Sequence, residues 1–244
     1  MKCIALAALA GAALANFQSG EIKTYETFTY GKFVVNMSAP PKQGTNTAFF
    51  LYWTGPGWSW AEWNEIDVEI VPSVAENPFS TNLIYGDGNA QLQTQEYNYS
   101  NTEDEFHEYT VEWTPDYISW HFDGKLVRSI DSSDEGVRLM TKAQNIMMNF
   151  WTPTWSPWGD NLDASDMPYY ARYDYVEVWD YNADTKDFEF NWREDFNGPL
   201  DESRWLVSNN WGFGGNSTTF MSSQVYTEDG NLVLKMEDVN GYTQ

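Results

Sequence analysis

The segment Glu65-Ile66-Asp67-Val68-Glu69 places three carboxyl groups two residues apart, with apolar residues between them. Side chains on a β-strand alternate faces, so all three acids project from one side while Ile66 and Val68 point to the other. Such a strand buries one face in a core and gathers like charges on the opposite face. Crowding carboxyls pushes their pKa values apart and lets a protonated acid stand beside an ionised one. Trp58, Trp60 and Trp63 precede the acids and Phe79 follows them. A solvated acidic strand edge, the plain alternative, gives no reason for so many tryptophans nearby.

The rest of the chain repeats short strand-like runs between turn residues. Phe28–Met37, Thr47–Tyr52, Glu65–Val71, Asn82–Tyr85, Tyr109–Trp113, Tyr117–Phe122, Ile146–Trp151 and Tyr173–Trp179 are β-rich in composition, as are Phe188–Trp192 and Leu232–Met236. Asp87-Gly88, Asp123-Gly124 and Asp229-Gly230 are hairpin-turn dipeptides beside such runs. Only Ser132–Arg138 hints at helix. This spacing predicts an all-β sandwich or barrel. The polar run Asn182–Asp187 reads as a linker. The fifty or so residues after it are few for an independent domain without cysteines, so the tail is expected to add strands to the main sandwich.

A net charge of −23 argues against nucleic acid and anionic membranes as partners and sits badly with a polyanionic substrate. A neutral partner fits better. Residues 1–15 carry Lys2, an apolar run and Ala13-Leu14-Ala15, which predicts a secretory signal peptide too short to span a bilayer, and hence a secreted, extracellular protein. The single cysteine, Cys3, lies inside that segment, so the mature chain is expected to hold no disulfide and no thiol nucleophile.

Aromatic rings in a cleft suit sugars, whose C–H faces stack on π-systems. Paired carboxyls suit glycosidic cleavage, one protonating the leaving oxygen while the other attacks or activates water. Four residues of strand separate the Cα atoms of Glu65 and Glu69 by roughly 13 Å. Long side chains leaning together close most of that gap. The spacing permits the retaining mechanism without proving it.

At these residues the chain resembles glycoside hydrolase family 16, in particular its licheninase branch of 1,3-1,4-β-glucanases. The family strand reads Glu-x-Asp-x-Glu after a tryptophan; here it is Trp63-Asn64-Glu65-Ile66-Asp67-Val68-Glu69, with Asn64 replacing a common Asp. Laminarinase-like members insert a residue before the second Glu, and none is present here. Tyr30-Gly31-Lys32-Phe33, Phe50-Leu51-Tyr52 with Thr54-Gly55-Pro56, Phe106–Tyr109 with Glu112–Pro115, and Asn145–Trp151 followed by Trp158-Gly159 also resemble family segments. By position, the resemblance implies Glu65 as nucleophile, Glu69 as acid/base and Asp67 as their helper. It implies sugar contacts from Phe50, Asn82, Asn149, Trp151 and Trp211, to which we add Tyr52, Trp63 and Trp158, with Glu21 and Lys23 at the rim. Trp113, Trp120 and Trp179 are expected in the core. His107 either influences Asp67 or is structural, and Trp58, Trp60 and Trp155 have no clear family counterpart. No cofactor is implied for the chemistry. A structural Ca2+ is implied at Asp174, Asp195 and Gly230.

The order of segments is unusual. Material resembling the usual family start lies at the end: Phe190, Asp195-Phe196-Asn197, Trp205, Trp211–Gly215 and Asp229–Leu234. This reads as a circular permutation, with residues 188–238 matching the usual N-terminal strands; the competing account is a truncated second copy. The expectation is a single jelly-roll domain over residues 16–244, two antiparallel sheets in a concanavalin A-like sandwich, acting as a monomeric endo-β-glucanase on mixed-linkage 1,3-1,4-β-glucan with retention. Another family 16 hydrolase or transglycosylase acting on laminarin or xyloglucan, or a non-catalytic lectin-like module, are the alternatives.

Overall fold

A computed structural model describes residues 17–73, 78–86, 90–98 and 105–239. The expected signal segment at residues 1–15 and the Asp87-Gly88 turn lie outside them. In chain order the strands are β1 (Phe17–Ser19), β2 (Glu21–Thr24), β3 (Gly31–Ser38), β4 (Asn46–Tyr52), β5 (Asn64–Ile70), β6 (Pro78–Gly86), β7 (Ala90–Asn98), β8 (His107–Trp113), β9 (Tyr117–Phe122) and β10 (Lys125–Asp131). After the short helix α1 (Glu135–Leu139) come β11 (Asn145–Trp151), β12 (Tyr169–Asn182), β13 (Asp187–Glu194), β14 (Trp205–Val207), β15 (Thr218–Phe220), β16 (Val225–Glu228) and β17 (Asn231–Asp238). Asp134 caps α1, its carboxylate accepting from the Gly136 N–H.

The strands form two sheets. One runs β14-β2-β11-β4-β5-β6-β7, and the other β10-β9-β8-β3-β12-β17-β1-β15, with β13 added to β12 and β16 to β17. Nearly all pairs are antiparallel, β1 with β15 being parallel. This is the expected sandwich of the jelly-roll type. Its core follows from the alternation: Ile66, Val68 and Ile70 of β5, Ile146, Met148 and Phe150 of β11, and Phe49 and Leu51 of β4 are fully buried with Val35, Val111, Trp113, Trp120, Val176 and Val178 of the other sheet. Trp113 and Trp120 are core residues as expected. Trp179 is not: it lies half-buried, with Lys32 Nζ 4.0 Å from its ring centre.

The tail is integral to both sheets. β14 closes one edge against β2, and β17 inserts between β12 and β1, burying Leu232, Leu234 and Met236 completely. The polar run Asn182–Asp187 is a hairpin turn joining β12 to β13 and not a loose linker; Lys186 N–H donates to Asn182 O at 2.8 Å with Lys186 at φ 56°. The Asp123-Gly124 and Asp229-Gly230 turns have both residues at positive φ, the type I′ geometry that matches strand twist.

The calcium expectation is not supported. Among the described residues no group of three or more His, Cys, Asp and Glu side chains could hold a metal ion. Asp195 Oδ1 accepts from Arg193 Nε at 2.5 Å, so a guanidinium already satisfies that carboxylate, while the same arginine pairs with Glu177. Asp174 sits at a register break of β12 against β3, and Gly230 supplies the positive φ of 76° in its turn.

Candidate active site

On the outer face of the seven-stranded sheet, cross-strand pairing lines up the acids with their neighbours. Glu65 stands between Tyr52 and Ile84, Asp67 between Phe50 and Asn82, and Glu69 between Ala48 and Ser80. Continuing across β4, Asn145, Met147, Asn149 and Trp151 of β11 face Tyr52, Phe50, Ala48 and Asn46. Glu21 on β2 then faces Asn149. Residues on an outer face are ordinarily exposed, yet Glu21, Phe50, Asp67, Glu69, Asn82, Asn149 and Trp151 are all buried. Packing against neighbours and flanking loops therefore walls this face into a groove, and the three acids lie in its floor.

Each carboxyl has different partners. Glu65 Oε2 accepts the Trp63 indole N–H at 2.5 Å and a hydrogen bond from Asp67. Asp67 stands opposite Asn82, whose Oδ1 accepts from Thr94 at 2.9 Å, and among the described residues Asp67 Oδ1 is buried without a hydrogen-bond donor. Glu69 Oε1 accepts from Asn46 Nδ2 at 2.7 Å, and its Oε2 is buried without a partner. Burial pushes all three above the ordinary carboxylate range. It takes Glu65 up to about 8, opposed by the Trp63 donor and reinforced by the Glu69 charge. Glu69 rises to about 7, opposed by Asn46. Asp67 lies well above its usual value through burial and the two glutamates. Asp67, held well above its usual range, is bonded to Glu65, and near neutral pH the Glu65–Glu69 pair is left partly protonated. Two donors converge on Glu65 against one on Glu69. With both values near neutrality and the Glu69 charge raising Glu65, the pair ionises one carboxyl at a time.

Most of the sequence-predicted contacts meet here. Glu21, however, is buried and not a rim group: its carboxyl accepts from Ser208 at 2.7 Å, Asn149 at 3.2 Å and Trp211, while burial raises its pKa. Lys23 is half-buried beside it. Trp211 is half-exposed at the groove side. Trp151, Trp155, Trp158 and Phe213 form a ring cluster, with Trp151 centred 5.5 Å from Trp155 and 5.0 Å from Phe213, and Trp155 6.1 Å from Trp158. A second cluster of Tyr52, Trp58, Trp60 and Trp63 stands beside Glu65. His107 is on β8 of the other sheet, where Nδ1 meets Asp123 Oδ2 at 2.8 Å, so it is not a neighbour of Asp67 in the groove. Sequence reasoning missed Asn46. It lies two residues from Ala48, the register partner of Glu69, a diagonal relation visible only once β4 and β5 are aligned.

The geometry has counterparts among known proteins. The sequence profile described as glycosyl hydrolases family 16 matches residues 8–177. A beta-glucanase of Fibrobacter succinogenes is 30% identical over 249 residues, covering 96% of this chain and 69% of the relative. A beta-glucanase of Brevibacillus brevis is 28% identical over 168 residues, covering 66% of this chain and 60% of the relative. The solved structure of a Bacillus licheniformis beta-glucanase superposes with a TM-score of 0.55 at 25% identity, covering 66% of this chain and 77% of that one. The chain spans 60% to 69% of the length of these curated relatives. A buried acid trio on the outer face of a sandwich sheet, a profile match over more than half the sequence and a 30%-identical relative aligned over nearly all of it agree: this chain belongs to glycosyl hydrolases family 16.

Proposed function

We propose that the protein is an endo-β-glucanase that hydrolyses β-1,4 bonds in mixed-linkage 1,3-1,4-β-glucan by retaining double displacement. The observation that carries this reading is the placing of Glu65 and Glu69 either side of Asp67 on one face of β5, both raised to near neutrality so that one can act as acid while the other is ionised. Glu65, as carboxylate, attacks the anomeric carbon. Glu69, as carboxylic acid, gives its proton to the departing glycosidic oxygen, so the bond to that oxygen breaks as the Glu65–sugar ester forms. Glu69, now ionised, takes a proton from water, whose oxygen displaces Glu65 and restores the starting configuration. Asp67 hydrogen-bonds Glu65 and steadies its charge. No cofactor takes part.

The groove supports a neutral polymer. Phe50, Tyr52, Met147 and Trp151 offer apolar surface to pyranose faces, and Asn82, Asn149 and Glu21 offer polar groups to hydroxyls. A chain with charge −23 repels polyanions. The relatives named beta-glucanase support the polymer class. Product analysis on barley β-glucan, lichenan, laminarin, carboxymethylcellulose and xyloglucan tests it: release of oligosaccharides from the first two is expected, and cleavage of laminarin alone overturns the linkage assignment.

Two further readings accompany this one. Residues 188–238 are the relocated start of a family domain, supported by their motifs and by the central place of β17 in its sheet. A chain with those residues moved ahead of Ser19 should fold and keep activity; loss of folding overturns the permutation. The protein is exported as a monomer after removal of residues 1–15, which N-terminal sequencing and sedimentation of the secreted product test.

A further inference from the structure

We propose that Trp58 and Trp60 form an additional glucosyl-binding platform extending the groove outward past Glu65. The inference rests on the β-glucanase reading and adds a site to it. Both indoles lie on the segment between β4 and β5 and are 38% and 49% exposed. They are not isolated surface aromatics. Ring contacts run without a break from the groove floor: Phe50 to Tyr52 at 6.3 Å, Tyr52 to Trp63 at 6.2 Å, then Trp63 to Trp58 at 5.4 Å and to Trp60 at 4.8 Å. Trp58 and Trp60 touch each other at 5.5 Å.

The segment that presents them is braced. A single 3-10 turn, Trp60–Glu62, is closed by Glu62 N–H to Ser59 O at 2.9 Å. Lys142, on the approach to β11, pairs with the Glu62 carboxylate and donates to Glu62 O at 2.5 Å. On the other side Gly86 N–H donates to Trp63 O at 2.8 Å, and a Cβ at Gly86 would come 2.3 Å from the Ala61 carbonyl carbon. That glycine lets β6 approach the turn closely. Two large rings held open to solvent on a fixed turn present stacking surface at little entropic cost on binding. Contiguous exposed aromatic surface beside a cleft marks a binding site more than a folding need.

The occupant follows from the same chemistry. The charges carried by the turn, Glu62 and Lys142, neutralise each other, so the platform offers flat apolar area without a net ionic partner. It fits the C–H faces of neutral glucosyl units in a chain whose scissile bond lies at Glu65 and Glu69. The platform lies one ring beyond Trp63, which itself bonds Glu65, so it serves units farther along a chain than those at the acids and its effect grows with chain length.

The test is calorimetric titration of the full chain carrying Glu69→Gln, to stop turnover, with mixed-linkage gluco-oligosaccharides of about three and about seven units. Replacing both Trp58 and Trp60 with Ala should lower long-chain affinity about 10-fold and collapse the ratio of long- to short-chain affinity, while replacing both with Phe should retain most of that ratio. An unchanged ratio in the double Ala variant overturns the platform while the β-glucan reading stands. An equal loss at both lengths also overturns it, because the rings would then act through Trp63 and Glu65. If the Glu69→Gln parent binds neither oligosaccharide, the β-glucan reading falls and the platform with it.

Discussion

Replacing Glu69 with Gln should make the protein more stable at alkaline pH and leave its stability nearly unchanged in acid. Burial raises the Glu69 carboxyl from 4.5 to about 7, so the folded state holds its proton more tightly than the unfolded state does. Below pH 4.5 the group is neutral in both states and costs nothing. As pH rises toward 7 the unfolded chain ionises first, and stability is lost across that window; above it the full penalty is present. At about 1.4 kcal/mol for each tenfold change in proton affinity, the penalty is on the order of 3 kcal/mol. Gln keeps the acceptor oxygen for Asn46 Nδ2 and removes the buried charge. It also relieves Glu65 and Asp67, both of which the Glu69 charge pushes upward. Chemical denaturation of the two proteins at pH 4, 6 and 8 measures this directly. The variant should match the parent at pH 4 and exceed it by a few kcal/mol at pH 8. A variant less stable than the parent at pH 8, or a difference independent of pH, would refute the reasoning. Most domains hold only about 5–15 kcal/mol of net stability, so a burden of this size is a sizeable share of it.

Other predictions follow from single contacts. Trp63→Phe keeps the ring but removes the indole donor to Glu65; since a hydrogen bond to a charged group contributes about 1.5–3 kcal/mol, kcat should fall roughly 10- to 100-fold with little change in KM. Asn46→Ala removes the one donor that favours ionised Glu69, so the alkaline limb of the pH–rate profile should move upward; a downward shift contradicts Glu69 as the proton donor. Glu21→Gln should raise stability at neutral pH, because burial raises that carboxyl too, and should weaken glucan binding, as thermal melts and titration calorimetry can show. Truncation after Asp180 removes β17 with Leu232, Leu234 and Met236, each worth about 2–5 kcal/mol in a core, and circular dichroism should report loss of the cooperative fold.

Where a segment carries its own alternation, the structure follows it. Ile66 and Val68 lie in the core and the three acids on the opposite face, and Asn145–Trp151 alternates in the same way against β4. Other elements carry no such signal because their stability is not local. Phe17–Ser19 is a strand of three residues, extended only because β15 and β17 pair with its two edges. β7 and β10, AQLQTQEYN and KLVRSID, are polar edge strands with Leu92 and Leu126 exposed, and only Tyr97, Val127 and Ile130 pack on the core, too few to show an alternation. The hairpin at Asn182–Asp187 reads as a linker from its polarity, yet β12 runs straight through the preceding residues and back into β13. At the site the acids were legible from spacing alone. Their donors were not: Asn46 depends on register with β5, and the burial of Glu21 depends on Ser208 and Trp211, nearly two hundred residues away in sequence.

The central assignment is the division of labour between Glu65 and Glu69. A 2-deoxy-2-fluoro mixed-linkage oligosaccharide with a good leaving group should glycosylate the protein and hold the intermediate, since fluorine at C2 slows both displacements while the activated leaving group restores the rate of the first alone. Peptide mapping by mass spectrometry should then find one sugar ester, on Glu65. A label on Glu69 would reverse the roles, and turnover by inversion with no labelled peptide would exclude the double displacement altogether.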